Sequence, residues 1–281
     1  MLLFPNAKIN LGLSIVRKRN DGFHDLETVF APVAWCDALE FIPSEESRLH
    51  VEGISVTQEP ESNIVWKAYR LMLERFPFLP PLALHLLKNI PHGAGLGGGS
   101  ADAAFLLKGL KQYFNLDISE EELRHMALQL GSDCPFFLYN RPCYAEGRGE
   151  VISPITLNLS NWNIVLIKPP FPIPTAKAFQ GIVPKEPAFK VRDVVQDPVE
   201  TWRDRLVNDF EAPLIPAFPQ IQWLRDALYD AGCTYASLSG SGSTVFGLFR
   251  EANRNDIALN VTAMHKKIRD LRVQITDFNI R

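Results

Sequence analysis

Residues 89–105 read NIPHGAGLGGGSADAAF, and the interpretation of the whole chain depends on this stretch. Five glycines fall within seven residues, from Gly93 to Gly99, and a run with helical character follows at once. The preceding run, LALHLLKNI, is typical of a strand. Glycine lets backbone N–H groups converge because it has no Cβ, and the first turn of a helix adds unpaired donors and a positive dipole end. The stretch therefore predicts a strand, a glycine-rich loop and a helix that together bind phosphate.

Two standard nucleotide motifs fit this loop poorly. The spacing G-x-G-x-x-G is present, but a dinucleotide fold requires a second strand after the helix, and here another helix follows, opened by Ser119. The P-loop motif requires a lysine directly after its last glycine, where this chain has Ser100. A surface turn without a ligand is a further alternative, but it explains poorly why glycine is so dense directly before a helix. The residues alone thus indicate a phosphate site of neither standard type.

The composition is that of an ordinary globular protein. The 281 residues are 46% hydrophobic and 22% charged, with 29 basic against 32 acidic residues and a formal net charge of −3. Such a balance gives no general attraction to nucleic acid or to an anionic membrane. No apolar run approaches the roughly 18 residues of a membrane helix, and the four cysteines form no Cys-x-x-Cys pair. We expect a cytoplasmic protein that is a monomer or weak homodimer and binds neither nucleic acid nor membrane.

The order of strands and helices along the chain is mixed, which favours an α+β fold. Hydrophobic periodicity and turn residues predict strands at 6–15, 38–43, 48–56, 82–90 and 162–169, and helices at 64–76, 100–114, 120–130 and 218–232. Ser62 or Asn63 is the expected cap of the first helix, and Ser119 with Glu122 forms a capping box for the third. A second glycine and serine loop, within YASLSGSGSTVFGLF, leads into a strand near the C-terminus. The texture changes near 150–160, so we predict domains at 1–155 and 156–281.

Several blocks resemble a known kinase superfamily. PHGAGLGGGSADAA resembles the phosphate loop of the kinases named for galactokinase, homoserine kinase, mevalonate kinase and phosphomevalonate kinase, the GHMP superfamily. Other blocks are similar to the branch of that superfamily that acts on a cytidine-diphosphate-linked methylerythritol. These blocks are NAKINLGLSIVRKRNDGFHDLETVF, LGSDCPFFL, AEGRGE, PIPTAKAF, NDFE and LSGSGSTVF. They occur in family order over nearly the whole chain.

The resemblance implies both fold and reaction. It implies a two-domain GHMP-kinase-like fold of the α+β class, with an active site in the interdomain cleft, ATP bound by residues 1–155 and substrate by residues 156–281. The implied enzyme is an ATP-dependent small-molecule kinase that phosphorylates the tertiary 2-hydroxyl of the cytidine-diphosphate-linked methylerythritol, a step of the non-mevalonate isoprenoid pathway. ATP is the implied phosphoryl donor, and Mg²⁺ accompanies it.

Two residues are the implied catalytic pair. From local sequence, Lys8 reads as a solvated lysine on a strand, and Asp133 as a capping or turn aspartate. The resemblance implies instead that Asp133 is the base that accepts the proton of the hydroxyl group. It also implies that Lys8 lies beside it and stabilises charge on the transferring phosphoryl group.

The resemblance also implies two binding sets. The residues implied to bind the phosphates, adenine and ribose of ATP are Gly93, Gly95, Gly97, Gly98, Gly99, Ser100, Asn63 and Lys88. Ser100, at the helix start, could also cap the helix or contact a phosphate-bound magnesium ion. Those at the substrate are Asn10, Phe23, His24, Thr175, Phe179 and Gly240, with Gly242 in the same loop as Gly240. Phe23 and Phe179 would stack on the cytosine; Phe23 stands where relatives usually have tyrosine, so the stacking face remains and the phenolic hydroxyl is lost.

Two alternative functions remain open from the sequence. Another kinase of the superfamily, for mevalonate or homoserine, would leave DGFH and PIPTAKAF without the cytidine that the resemblance implies for them. A nucleotide sensor without turnover would have no use for Lys8 and Asp133 in their two blocks.

Overall fold

The protein is described by a computed structural model for residues 1–54, 60–250, 268 and 270–278. The chain forms two compact units. The first unit comprises Met1–Ala7, Trp35–His92 and Gly97–Arg141, and the second comprises Lys8–Ala34, Gly93–Leu96 and Pro142–Arg281. These units interleave along the chain, whereas the sequence predicts a single boundary near residue 155. Which part of the chain binds which ligand stays a prediction.

The strands and helices alternate irregularly, which confirms the α+β class. The strands are β1 Leu2–Leu3, β2 Asn6–Lys18, β3 His24–Cys36, β4 Ala38–Pro43, β5 Arg48–Gly53, β6 Leu82–Lys88, β7 Cys143–Glu146, β8 Val151–Pro154, β9 Trp162–Lys168, β10 Tyr235–Leu238, β11 Val245–Arg250 and β12 Arg272–Asp277. The helices are α1 Ile64–Arg75, α2 Gly98–Tyr113, α3 Glu120–Leu130, α4 Cys134–Tyr139, α5 Thr175–Ala178, α6 Val191–Val194, α7 Glu211–Ala217 and α8 Pro219–Asp230. None of the helices in the described ranges is long and apolar enough to cross a membrane.

The first unit packs helices α1 to α4 with a four-stranded sheet of order β1-β4-β6-β5. Strand β5 runs parallel to β6, and the other neighbours are antiparallel. Leu84 and Leu86 of β6 point into the core while His85 and Leu87 are exposed, as the two-residue period of a strand requires. The core cluster is completed from the helices by residues such as Tyr69, Met72, Leu106 and Leu123.

Local capping in the first unit follows the sequence closely. Asn63 caps α1 by accepting the N–H of Val65, so of the two predicted candidates, Ser62 and Asn63, the cap is Asn63. Ser119 caps α3 by accepting the N–H of Glu122, which confirms the predicted cap, whereas the reciprocal bond of the capping box, from the Ser119 N–H to the Glu122 side chain, stays a prediction. Helix α2 begins at Gly98, two residues before the predicted start at Ser100. Of the strand predicted at 48–56, the structure has β5, and residues 55 and 56 lie outside the described residues.

The second unit contains two four-stranded sheets, of order β2-β3-β7-β8 and β10-β11-β9-β12. Strand β9 is central in its sheet and buried along almost its whole length, which explains its continuous apolar sequence. Helix α8 contributes Ile221, Leu224 and Leu228 to the core, at the spacing of one helical face. Strands β10 and β11 form the hairpin around the second glycine and serine loop.

Candidate active site

The glycine-rich loop has a backbone that other residues rarely adopt. Gly93, Gly95 and Gly97 have φ values of 61°, 75° and 69°, in the left-handed region that favours glycine. Gly97 is the N-cap of α2 and supplies no capping side chain, so the first N–H groups of that helix are not used by a cap. A 16-residue helix that begins in this way offers donors and a positive dipole end to an anion.

Within the second unit, the loop residues 93–96 are held by the second glycine and serine loop. The hydroxyl of Ser239 donates to the Gly95 carbonyl at 2.8 Å, and the N–H of Thr244 donates to the Ala94 carbonyl at 3.2 Å. A Cβ built on Gly95 would lie 1.9 Å from the carbonyl oxygen of Ser239. Only glycine fits there without a backbone shift. The sequence showed both loops but not that they pack together.

Two hydrogen bonds from Asn208 hold the loop at Gly240. The Asn208 amide donates to the carbonyls of Leu238 and Gly240, at 2.8 and 2.9 Å. A Cβ on Gly240 would lie 3.2 Å from Oδ1 of Asn10, so these two predicted substrate residues are neighbours. Asn208 belongs to the NDFE block, and the structure shows that it supports this loop.

Lys8 and Asn10 form a buried polar chain on β2. Lys8 is only 3% exposed, so the interpretation from local sequence, that it is a solvated lysine, is wrong. Its ammonium group donates to Asn10 Oδ1 at 2.6 Å, and Asn10 Nδ2 donates to the Thr28 hydroxyl at 3.0 Å. Thr28 in turn donates to the Gly12 carbonyl at 2.5 Å. This chain fixes which way the Asn10 amide points and therefore where the ammonium group lies.

Asp133 occupies the N-cap position of α4, with φ −82° and ψ −18°. Its carboxylate makes no capping hydrogen bond to that helix, so the alternative of a capping aspartate is wrong. Asp133 belongs to the first unit and Lys8 to the second. Their convergence on one hydroxyl group stays a prediction.

Ser100 is the third residue of α2, and its hydroxyl hydrogen-bonds with the Cys134 thiol. Burial raises the pKa of that thiol to about 12, so Cys134 is a neutral partner. Among the described residues, no group of three or more His, Cys, Asp or Glu side chains could hold a metal ion. Magnesium itself, and its contact with the Ser100 hydroxyl, stay predictions.

The two residues implied at adenine and ribose have structural partners. Asn63 uses its amide oxygen as the cap of α1, accepting the Val65 N–H at 2.9 Å. Lys88 is 5% exposed and pairs with Asp37 and, at 2.6 Å, with Asp102. Burial alone would lower the pKa of Lys88, but the two carboxylates outweigh it, and the ammonium form is favoured. The ATP-binding roles of both residues stay predictions.

The aromatic residues predicted to bind the cytosine are Phe23, His24 and Phe179, and two of them stack on each other. The ring of His24 stacks on that of Phe179, with centroids 4.8 Å apart and an interplanar angle of 16°. Phe23 is 53% exposed, and the guanidinium of Arg148 lies 4.8 Å from its ring centroid. Phe179 thus faces His24 rather than Phe23, and the sandwich of a cytosine by Phe23 and Phe179 stays a prediction. Thr175 lies 3.4 Å from the Ser241 hydroxyl, next to Gly240.

Family models and curated relatives identify the same family of kinases. The family models "GHMP kinases N terminal domain" and "GHMP kinases C terminal" match residues 63–141 and 199–267. A Bacteroides fragilis protein named 4-diphosphocytidyl-2-C-methyl-D-erythritol kinase is 48% identical over 253 residues, which cover 89% of this chain and 92% of the relative. A Porphyromonas gingivalis protein of the same name is 48% identical over 263 residues, covering 92% and 95% of the two chains.

Solved structures give the same result for the fold. A crystal structure of 4-(cytidine 5'-diphospho)-2C-methyl-D-erythritol kinase matches with a TM-score of 0.83 and 31% identity, covering 99% of both chains. The mevalonate kinase of Methanococcus jannaschii matches with a TM-score of 0.72 over 99% of this chain and 98% of its own, at 13% identity, which shows the fold alone. The fold that the sequence blocks imply is confirmed.

Proposed function

Because the chain belongs to the GHMP kinases and, among them, to the 4-diphosphocytidyl-2-C-methyl-D-erythritol kinases, we propose that it transfers the γ-phosphoryl group of ATP to the 2-hydroxyl group of 4-diphosphocytidyl-2-C-methyl-D-erythritol. The observation that carries this proposal is the near-half identity to relatives of that name over nine-tenths of both chains. The reaction is a step of the non-mevalonate route to isoprenoid precursors.

The ATP phosphates bind at the start of α2. The positive φ values of Gly93, Gly95 and Gly97 shape the loop, and the uncapped N–H groups of the first helical turn serve as donors to the phosphates. Ser100 lies in the same turn, where its hydroxyl can reach a phosphate or its magnesium ion. Magnesium, when bound, neutralises charge on the phosphate oxygens.

Asp133 acts as the general base and Lys8 as the cation that stabilises charge on the transferring group. A tertiary alcohol is a poor nucleophile, so its proton must leave as the phosphoryl group arrives in line. The burial of Lys8 and its hydrogen bond to Asn10 support this role, because a desolvated cation with a fixed position stabilises developing charge without reorganisation.

The substrate's cytidine diphosphate binds to residues of the second unit. Phe23 and Phe179 offer aromatic faces to the cytosine, and the region of His24 offers hydrogen bonds to the edge of the base. Asn10 lies next to Gly240, and Thr175 lies next to Ser241 in the same loop. We place the enzyme in the cytoplasm as a monomer or weak homodimer. Its four cysteines are free thiols, which a reducing compartment favours.

A coupled assay of ADP release tests the proposal, with ATP and Mg²⁺ at saturation and one alcohol at a time. We expect turnover with 4-diphosphocytidyl-2-C-methyl-D-erythritol and none above background with mevalonate or homoserine. Turnover of mevalonate or homoserine in preference to the cytidylated alcohol would refute the proposed substrate.

A further inference from the structure

Three charged side chains form a buried cluster in the first unit, at the end of β6. The side chains of Asp37, Lys88 and Asp102 are 0%, 5% and 2% exposed. The Lys88 ammonium donates to Asp37 Oδ2 and to Asp102 Oδ2. Asp102 Oδ1 is buried and has no hydrogen-bond partner among the described residues. Burying charged groups is expensive, and removing one partner leaves the others uncompensated. The contacts of this cluster with the neighbouring chain segments therefore indicate its role.

One side of the cluster holds the beginning of the glycine-rich segment. The second oxygen of Asp37 accepts the N–H groups of Asn89 and Ile90, at 2.5 and 2.8 Å. Asp37 thus binds three consecutive residues, 88–90, through both of its oxygens. Trp35 adds a hydrogen bond from its indole N–H to the carbonyl of Asn89 at 3.1 Å. The chain is fastened at the point where β6 ends and the glycine-rich segment begins.

The other side of the cluster holds the end of the same segment. Asp102 lies in the second turn of α2, the helix that begins with Gly98. A Cβ built on Gly98 would lie 2.8 Å from Cγ2 of Ile90 and 3.5 Å from Nζ of Lys88. The first residue of α2 therefore rests directly on the residues that Asp37 fastens. Both ends of the segment 89–97 are tied to one buried cluster.

We propose that the Asp37–Lys88–Asp102 cluster fixes the position of the phosphate-binding segment, and that Lys88 acts within it as a positioning residue. The inference rests on the proposed function, because it assumes that ATP phosphates bind at the start of α2. It adds a role in the loop to the contact with adenine and ribose that the sequence resemblance implies for Lys88, and that contact stays a prediction.

The two roles of Lys88 predict different behaviour for Asp37. If the cluster does not place the segment, Lys88→Met alone should weaken ATP binding, because Asp37 is buried and touches no solvent. A positioning role predicts that Asp37→Asn also weakens it, because the amide of asparagine leaves the ammonium and two backbone N–H groups poorly paired. The variant that carries both Asp37→Asn and Lys88→Met should then bind ATP about as well as Lys88→Met alone, since the two residues act as a unit.

Isothermal titration calorimetry with ATP and no alcohol measures the difference. We expect Asp37→Asn to raise the dissociation constant for ATP by about tenfold or more, as misplaced contacts do. The affinity for cytidine diphosphate should stay within about twofold of the unaltered protein, because its proposed contacts lie in the second unit. The control is Tyr69→Phe, which removes the partly buried hydrogen bonds of the Tyr69 hydroxyl with the Pro80 carbonyl and the Ser47 hydroxyl in the same unit and should bind ATP normally.

Unaltered ATP affinity in Asp37→Asn would overturn the proposal, and so would equal weakening by Tyr69→Phe. If Asp37→Asn does not fold, hydrogen exchange in the unaltered protein decides. The amides of Asn89 and Ile90 should be protected without nucleotide, and exchange at unprotected rates would contradict the fastening. Because ATP binding is measured without an alcohol, this inference can fail while the proposed reaction stands, and the reverse also holds.

Discussion

The ammonium group of Lys8 is buried, and Asn10, Thr28 and the Gly12 carbonyl continue its hydrogen-bond chain. A lysine on an alternating strand would ordinarily face water, because burying an ammonium costs several kcal/mol unless it is compensated (on the order of 2–7 kcal/mol even for neutral polar groups). At the scale of single residues, this placement is the strongest structural sign that β2 carries chemistry rather than only packing.

Asp133→Asn should abolish most turnover while ATP still binds. The amide keeps the shape of the side chain but accepts no proton from the alcohol, so we expect kcat to fall by about 10²–10⁴-fold. Steady-state kinetics with the cytidylated alcohol and calorimetry with ATP give the two values. Asp117→Asn changes an exposed aspartate and is the matched control. Full activity in Asp133→Asn would exclude it as the base.

Two glycines in the phosphate loop should respond differently to the same methyl group. Gly95 has φ +75° and a Cβ there would lie 1.9 Å from the Ser239 oxygen, whereas a Cβ on Gly99 meets only Ile64 at 3.6 Å. We expect Gly95→Ala to lower the free energy of unfolding by more than about 2 kcal/mol. Gly99→Ala should stay within about 1 kcal/mol of the unaltered protein.

Urea denaturation of both variants measures these free energies. Equal stability of the two would mean that Ser239 does not approach Gly95 in the folded protein. Gly98→Val is a less specific probe of ATP binding, since its added Cβ alone would lie 2.8 Å from Ile90.

At the scale of elements, α1 and α3 begin as their sequences predict because a cap depends only on near neighbours. Asn63 and Ser119 each accept an N–H two or three residues ahead. Helix α2 differs from its predicted start because Gly98 and Gly99, residues of low helix propensity, still form its first turn. Local preference is overridden there by the packing of Gly98 against Ile90.

Variants of Asn63 separate its capping role from its predicted contact with ATP. Asn63→Asp retains a capping oxygen and should keep the stability within about 0.5 kcal/mol, while Asn63→Ala should lose about 1 kcal/mol. If Asn63 also contacts adenine or ribose, as we predict, Asn63→Asp raises the Michaelis constant for ATP. Ser119→Ala removes a cap of the same kind from α3 and should leave that constant unchanged. A normal constant in Asn63→Asp would limit Asn63 to capping.

At the scale of the whole molecule, much of the fold was predictable from the sequence and much of the site was not. Periodicity located the long helices and the strands β2, β4, β5, β6 and β9, because each depends on a short window. It missed β3, which has 13 residues and is as long as β2. The attachment of residues 8–34 and 93–96 to the second unit, and the pairing of Lys88 with Asp37, depend on contacts across about fifty residues or more. The stacking of His24 on Phe179 is similarly remote in sequence. Motif resemblance named candidate residues but not their partners.

The buried carboxyl of Glu211 should make stability depend on pH. Burial raises the pKa of Glu211 above its ordinary value of 4.5, although Arg225, the Leu238 N–H and the Ser237 hydroxyl oppose the shift. Above pH 4.5 the folded protein therefore binds more protons than the unfolded chain, and this group's contribution to stability falls as pH rises towards the raised pKa.

Glu211→Gln lacks that titration. The difference in unfolding free energy, variant minus unaltered protein, should therefore move in favour of the variant as pH rises above 4.5. Urea denaturation at a series of pH values from 4 to 7 measures the difference, with Glu74→Gln as an exposed control for the lost charge. A difference that is independent of pH would show that Glu211 keeps an ordinary pKa.

The hydroxyl group that receives the phosphoryl group can be identified in the product. The product formed from ATP and 4-diphosphocytidyl-2-C-methyl-D-erythritol can be isolated and examined by carbon and phosphorus NMR. We predict one new phosphomonoester, with phosphorus coupled to the tertiary carbon that carries the 2-hydroxyl group, and one ADP per product. A phosphate on a primary or secondary hydroxyl, or ADP formed without any phosphorylated alcohol, would contradict it.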